Sequence, residues 1–339
     1  MNTSQSLQNP AFFLGIDVGK KELFCHLISP DTSRSERFYN TSQGIKALIT
    51  WAQSHCPAQD ILVCFEQTGH YGKALTKGLL NKKFNWLYIV NPQKIKAFSQ
   101  RRLRRNKSDS ADAKLIAQFI QSEHKELRVF QMQSIAHEQI KELNRYIETL
   151  TQDNAQLKTK SQATDNPVIL RSLNRRIKAQ EKDIKDLRKR INTILNNNHA
   201  LAVQKQLLES IPGVGEITSH TLIAELPDIS KFENARQLAA WAGLTPRHHI
   251  SGTSGRTRTP ITKIGSAHIR RNIFMPAMTA RLSNPILKDF GDRLKGNGKT
   301  PKQVIVAIMR KLLHIIYGVL KSQTPFDGNK RGFFPPASA

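Results

Sequence analysis

The hydrophobic rhythm of this chain changes near residue 135, and that change limits what it can fold into. Up to about Phe130 the apolar runs AFFLGIDV, LFCHLIS, ILVCFE and WLYIV are short and separated by turn or helical segments. Runs of that length bounded by turns read as strands. The first two, joined by a GKK turn, predict a hairpin, and the later ones alternate with helices, which predicts an α/β domain with a mixed sheet covered by helices. From Ile135 the chain becomes charged, poor in Gly and Pro, and periodic at three and four residues. Ile140, Leu143, Ile147, Leu150, Asn154 and Leu157 fit one heptad seam; Leu170, Leu173, Ile177, Gln180, Ile184, Leu187, Ile191, Ile194, Asn198 and Leu201 fit a second. Between them, ATDNPVIL offers Asp165 or Asn166 as a cap and Pro167 in the first turn of a new helix.

The middle of the chain is therefore expected to be two long coiled-coil helices. They either fold back as a hairpin or zip against another subunit, and oligomerisation is their expected role, with a passive spacer as the alternative. Asn154 and Asn198 are polar interruptions of the kind that fixes register. From Gln204 to Ser322 the pattern is globular and mostly helical, with turns at PGVG, LPD, GLTP and SGTSG. The aperiodic end is expected to be a loose tail. The expected domains are 1–130, 131–203, 204–324 and 325–339.

Lys and Arg number 52 against 26 Asp and Glu, a formal charge of +26, so a polyanion is the expected partner, nucleic acid before an anionic membrane surface. The polar opening MNTSQSLQNP does not read as a signal peptide, and the late apolar stretch Gln303 to Leu320 is interrupted by Arg310 and Lys311, so no membrane partner is expected. Cys25, Cys56 and Cys64 are too few and too dispersed for a zinc knuckle or a disulfide framework, which points to a reducing, cytoplasmic setting with Cys25 and Cys64 as small core residues.

Four carboxylates have the placement that a divalent-metal phosphoryl-transfer site requires, because hard oxygen ligands hold the ion against a phosphate. Asp17 ends the run FLGIDV, Glu66 ends ILVCFE, and Asp109 and Asp112 are three apart in NKSDSADAKLIAQFI, on one face of a predicted helix. Taken singly, Asp17 also reads as a turn aspartate, Glu66 as the solvent edge of a strand, and Asp109 and Asp112 as first-turn acids of a helix. Just upstream runs KIKAFSQRRLRRNK, in which Arg101, Arg102, Arg104, Arg105 and Lys107 are suited to a phosphate backbone. LLESIPGVGEITSHTLIAEL has helix–hairpin–helix form, whose turn amides can receive a phosphate; an ordinary helix pair is the other reading.

From Asn234 to Lys288 there is no Asp or Glu but nine Lys and Arg, which excludes carboxylate catalysis within that stretch. At its centre lies GLTPRHHISGTSGRTRTPITKIG. A serine on such a loop, flanked by Arg256, Arg258 and Lys263, is placed as a nucleophile toward a phosphodiester needs to be, while Arg270 and Arg271 follow on the next helix and add to the expected nucleic-acid surface. His248 and His249 are open to proton transfer, to phosphate binding, or to no role beyond the surface.

The motifs GIDVGK, FEQTGHYG, NKSDSADAKLIA, IPGVGEITSHTLIAEL and AAWAGLTPRHHISGTSGRTRTPITKIGSAHIRR, in that order, resemble the DEDD transposases of the insertion-sequence-110 family, which includes Piv-type DNA invertases. The resemblance implies an RNase H-like N-terminal domain similar to the Holliday-junction nuclease RuvC, with metal ligands at Asp17, Glu66, Asp109 and Asp112. Magnesium is the expected ion and manganese the alternative. It also implies a serine nucleophile that forms a covalent link to DNA, a homo-oligomer between dimer and tetramer in which one active site draws acids and serine from different subunits, and guidance by a non-coding bridge RNA. On the family pattern Ser251 is the nucleophile and Ser254 its rival: where many relatives have two serines before the glycine, this chain has Ile250 and Ser251. The competing readings are a metal nuclease that uses water and a catalytically silent nucleic-acid-binding protein.

Overall fold

The apolar runs of the N-terminal third become strands of one sheet because their alternate residues serve two different cores. The structure, a computed structural model, describes residues 10–67, 69–101, 109–246 and 260–328, and of Asp109 and Ser110 the backbone only. The chain divides into two units, Met1–Met132 and Gln133–Ala339.

In the first unit, strands β1 (Phe12–Val18), β2 (Glu22–Ile28) and β3 (Ser33–Tyr39) are followed by helix α1 (Ser42–Gln53), β4 (Ile61–Glu66), α2 (Lys73–Asn81), β5 (Trp86–Val90), α3 (Pro92–Arg101) and α4 (Asp109–Glu123). The sheet order is β3-β2-β1-β4-β5, antiparallel from β3 to β1 and parallel from β1 to β5. The expected hairpin and mixed sheet are both present. Edge strand β3 was not expected: SRSERFY is almost wholly exposed and has none of the apolar alternation by which a half-buried strand is read.

Leu14 and Ile16 of β1 and Val63 and Phe65 of β4 join Leu48 of α1 and Leu75 of α2 in one core. Phe13, Leu62, Cys64 and Tyr88 join Phe98 of α3 and Ile116 and Phe119 of α4 in the other. Cys25, Cys56 and Cys64 are free and buried.

The second unit begins with α5 (Ile135–Gln162) and α6 (Pro167–Asn196). They pack on one another within the chain, turning at the predicted point: Asn166 Oδ1 accepts from Val168 N and Ile169 N, and Pro167 occupies the first turn. Ile140, Ile147, Leu150, Asn154 and Leu157 are buried on α5, and Leu173, Ile177, Ile184 and Ile191 on α6. The second seam does not run on to Leu201 as expected. Asn198 instead caps α7 (His199–Glu209), its Oδ1 accepting from Leu201 N, because an Asn side chain competes for backbone donors better than it packs in a seam.

Then come α8 (Glu216–Glu225), α9 (Ala235–Trp241), α10 (Ala267–Asn272), α11 (Phe274–Ser283), α12 (Pro285–Gly296) and α13 (Pro301–Ser322). One core holds residues of α5, α6 and α7–α13 together. Between α7 and α8, Gly213 has φ +98°, and a Cβ there would stand 2.5 Å from that of Ala280 on α11. Helix α13 is long and apolar enough to cross a membrane by length and composition, yet it supplies much of this core, including Ile308, Leu312, Ile315 and Val319. After it, Phe326 packs on the same core and donates its N–H to Ser210 Oγ at 2.8 Å.

In the first unit, β1 and α4 meet backbone to backbone at Gly15. A Cβ there would lie 2.2 Å from Ala117 N and 2.4 Å from Ala113 O, both backbone atoms of α4. Gly15→Ala is expected to lower stability by about 3 kcal/mol, because a methyl group fits only if one backbone is forced away from the other. Urea unfolding followed by Trp fluorescence measures it.

Candidate functional site

The register of the two central strands sets the level of the first two acids. Gly15 pairs with Cys64 and Ile16 with Phe65, so Asp17 and Glu66 are the next residues along adjacent parallel strands. Side chains alternate along a strand, so Asp17 shares its face with Phe13 and Gly15, and Glu66 with Leu62 and Cys64. Both acids therefore belong to the face covered by α4.

The direction of α4 follows from two contacts. The Phe13 ring centroid lies 5.9 Å from that of His124, just past the C-terminus of α4, whereas Gly15 meets Ala113 and Ala117. The helix thus runs opposite to β1. Two strand residues advance about 6.6 Å, as do about four helix residues, so Asp17 is level with the first turn of α4, where Asp109 and Asp112 lie. The topology brings the four predicted acids to one end of one sheet face. Among the described residues, no three His, Cys, Asp or Glu side chains converge closely enough to hold an ion; the Asp109 side chain is outside the described set. Asp17, Glu66 and Asp112 each have an interaction partner.

His26 lies on the same face, opposite Gly15, with its Nδ1 2.7 Å from Ser35 Oγ. Burial, and secondarily the charge of Lys114, lower its pKa, so it is a neutral imidazole at pH 7. Of the basic run, Arg101 ends α3, donates to Glu123 Oε1 at 2.7 Å and stands 5.1 Å over the Phe98 ring. Arg102, Arg104, Arg105 and Lys107 lie outside the described residues.

The serine loop is described at its two ends, while His248, His249, Ser251, Ser254, Arg256 and Arg258 lie outside the described residues. The ends are pinned together. Pro246 bridges Ile261, Thr262 N donates to Thr245 O at 2.8 Å, and Ser266 N donates to Trp241 O at 2.9 Å. Gly265 has φ +131° and would place a Cβ 2.1 Å from Trp241 O, so only glycine permits this closure. Lys263 sits in this base in the left-handed region, φ +55°, and is exposed.

Arg270 and Arg271, expected to face nucleic acid, each have a partner within the unit, and Arg271 stays exposed. Arg270 Nη1 donates to Ala242 O at 2.9 Å, tying α10 to the loop base, and Arg271 Nη2 lies 3.0 Å from Glu148 Oε2 on α5. Glu148 also accepts from Asn272 Nδ2 at 2.9 Å. His268 Nε2 stands 3.0 Å from Glu148 Oε1 and 3.7 Å from Glu225 Oε1, within ion-pair range but out of hydrogen-bond alignment. Arg145 grips the buried Glu225 carboxylate with two donors, at 2.7 and 3.1 Å.

Sequence reasoning missed this set, Arg145, Glu148, Glu225 and His268, because its members are spread over three helices. The one local signal was Glu225, an acid inside the apolar run TLIAEL. In the predicted helix–hairpin–helix segment, Gly215 is open to solvent, but Glu216 puts a carboxylate in the first turn of α8, which works against an anion there.

A family model described as a transposase, of the DEDD IS110 kind, matches residues 14–164, and one described as "Transposase IS116/IS110/IS902 family" matches residues 205–292. A "Pilin gene-inverting protein" of Moraxella bovis is 31% identical over 324 residues, covering 93% of this chain and 97% of that protein. The chain belongs to the IS110 family of transposases. Membership makes it an enzyme of DNA strand cleavage and rejoining. An "Insertion element IS110 uncharacterized 43.6 kDa protein" of Streptomyces coelicolor is 28% identical over 160 residues, 47% of this IS110-family chain and 38% of the relative. Among solved structures, "T. thermophilus RuvC in complex with Holliday junction substrate" matches with a TM-score of 0.27 and 14% identity, covering 34% of this chain and 96% of that one.

Burial works to raise the pKa of Glu148, but His268, Arg271 and Asn272 outweigh it and hold the carboxyl below its ordinary 4.5. A depressed carboxyl pKa stabilises the fold above the unfolded value, and that contribution is lost as pH falls through the folded value. Glu148→Gln is therefore expected to cost about 1–2 kcal/mol at neutral pH, with the gap to wild type closing below pH 4.5. Urea titrations across pH measure it.

Proposed function

We propose that this IS110-family enzyme breaks and rejoins DNA through a serine-linked intermediate, with Asp17, Glu66, Asp109 and Asp112 as ligands for divalent metal, magnesium first and manganese as the alternative. The observation that carries the reading is the near full-length similarity to a gene-inverting protein, together with four acids brought to one end of one sheet face. The fit of the metal rests on the donor set: carboxylate oxygens at strand ends and on a helix first turn are what a hard cation binds. Such an ion would supply Lewis-acid stabilisation of the charge that builds on the phosphate.

The chain's own residues do the rest. The Ser251 hydroxyl oxygen attacks phosphorus and loses its proton to a neighbouring base, for which His248 and His249 are the candidates. An Oγ–P bond forms as the P–O bond to the departing strand end breaks, and the departing oxygen leaves as a hydroxyl after taking up a proton. Arg256, Arg258 and Lys263 stabilise the charge on the transferring phosphate. The phosphoserine link keeps the phosphodiester energy, so a new strand end can be joined by the reverse attack without ATP. Ser254 is the alternative nucleophile.

In this reading Arg101, Arg102, Arg104, Arg105 and Lys107 hold the phosphate backbone, a bridge RNA selects the DNA, and the long helices, as a coiled coil, assemble a dimer or tetramer. The +26 charge supports nucleic-acid partners of either kind. Programmed inversion of a DNA segment is favoured as the second reading by the gene-inverting relative, 97% of whose length is matched, against 38% for the insertion-element protein.

The test is covalent trapping with element-end DNA, the flanking RNA and magnesium on denaturing gels. Wild type and Ser254→Ala are expected to form a protein–DNA adduct that Ser251→Ala and Asp17→Ala do not. Cleaved ends that persist unchanged in Ser251→Ala, without any adduct, would mean a metal nuclease.

A further inference from the structure

Helix α13 is a core helix with two adjacent cations, Arg310 and Lys311, midway along an otherwise apolar run, and the strand-transfer chemistry above uses neither. Both are half-buried. The Arg310 Nε is shut off from solvent and has no hydrogen-bond partner, an expensive state for a guanidinium N–H. Lys311 Nζ and Arg293 Cζ of α12 stand 5.5 and 5.6 Å from the centroid of one ring, Phe290, which holds two like charges near each other.

Arg236, on α9, belongs to the same group, since α9 packs against α13. Burial first, and then the neighbouring cations, lower the pKa values of Arg310 and Lys311 and bring that of His314 to about 4. Arg236 acts on all three and Arg293 on Lys311. Among the described residues no salt bridge joins Arg236, Arg293 or Arg310 to an acid, whereas Arg145, Arg271 and Arg281 of the same unit are all paired. Among these like charges the buried Arg310 Nε–H lacks an acceptor.

We infer that Arg236, Arg293, Arg310 and Lys311 form a binding site for the phosphodiester backbone of a nucleic acid, separate from the acids and from the serine loop. The inference rests on the reading that the enzyme works on nucleic acid. A bound phosphate would offset the repulsion and give Arg310 Nε–H an acceptor. Polar contact with the backbone makes the site indifferent to base sequence.

Binding of the full-length protein to a DNA duplex of about 30 base pairs and to an RNA hairpin of similar size is measured against salt concentration. Arg236→Gln/Arg293→Gln, at two exposed positions, is expected to bind about tenfold more weakly on at least one probe, with the slope of log affinity against log salt reduced by about 2. The probe affected tells which nucleic acid uses the site. Lys178→Gln/Lys182→Gln removes the same charge from α6 and is expected to leave the slope within about 0.5 of wild type.

Arg310→Met keeps the buried stem and is expected to weaken binding while holding or raising the thermal midpoint, since it relieves repulsion. Wild-type binding that Arg236→Gln/Arg293→Gln leaves unchanged, or weakens no more than the α6 control does, overturns the inference alone. No binding of either probe by wild type overturns it together with the nucleic-acid reading.

Discussion

A helix backbone can lie against a β-strand only where the strand presents no side chain, and the N-terminal unit depends on one such place. At Gly15 the α4 backbone comes so near β1 that a methyl group would overlap Ala113 O and Ala117 N. Ala113 and Ala117 are themselves small and fully buried, so the approach is built from both sides. That contact fixes the distance and the axial position of α4 together. With the helix set there, its first turn comes level with the ends of β1 and β4, and acids from three separate stretches of chain share one end of the sheet. A side chain at Gly15 would displace α4 outward, and Asp109 and Asp112 with it. The glycine two residues before the first acid thus governs the placement of the last two.

The helical unit is organised around a different constraint, the burial of carboxylates in a chain that is otherwise strongly cationic. Glu225 is nearly enclosed and Arg145 meets its carboxylate with two donors, and the Arg145 guanidinium is held charged, first by that hydrogen bond. Glu148 collects Arg271, Asn272 and the neighbouring His268. These contacts join α10 to α5 and α8, and α10 begins where the base of the serine loop closes. The position of that loop's C-terminal flank is therefore set by ion pairs and hydrogen bonds to the long helix as much as by apolar packing. On α13 the same unit leaves the buried Arg310 Nε without such a partner. Among the described residues, the acids Glu148 and Glu225 are matched, while Arg236, Arg293 and Arg310 form no ion pair with an acid.

Much of this could be read along the chain. The two apolar strands ending in Asp17 and Glu66, the i,i+3 aspartates, and the capped break at Asn166–Pro167 are local patterns, and local patterns are visible in sequence because their causes are local: alternation, helical repeat and cap chemistry. Edge strand β3 escaped because an exposed strand buries no face and so carries no apolar alternation. The seam assigned through Asn198 failed because a heptad count does not sense a side chain turning back to cap the next helix. The partners of Arg270 and Arg271 within the unit, Ala242 O and Glu148, were not legible because they are distant in sequence.

By itself, then, the sequence determined which residue types occur at strand ends, on helix faces and at turns, and with them the chemistry available: hard oxygen ligands, a loop serine, a large excess of cations. Those are properties of short windows, where covalent spacing and side-chain type suffice. Only the tertiary structure decided which of these groups meet. The direction of α4 across the sheet, the in-chain pairing of the long helices, the partners of Arg270 and Arg271, and the gathering of Arg236, Arg293, Arg310 and Lys311 from three helices all follow from packing between segments far apart in the chain. Such packing is a balance of many weak contacts that no single window contains.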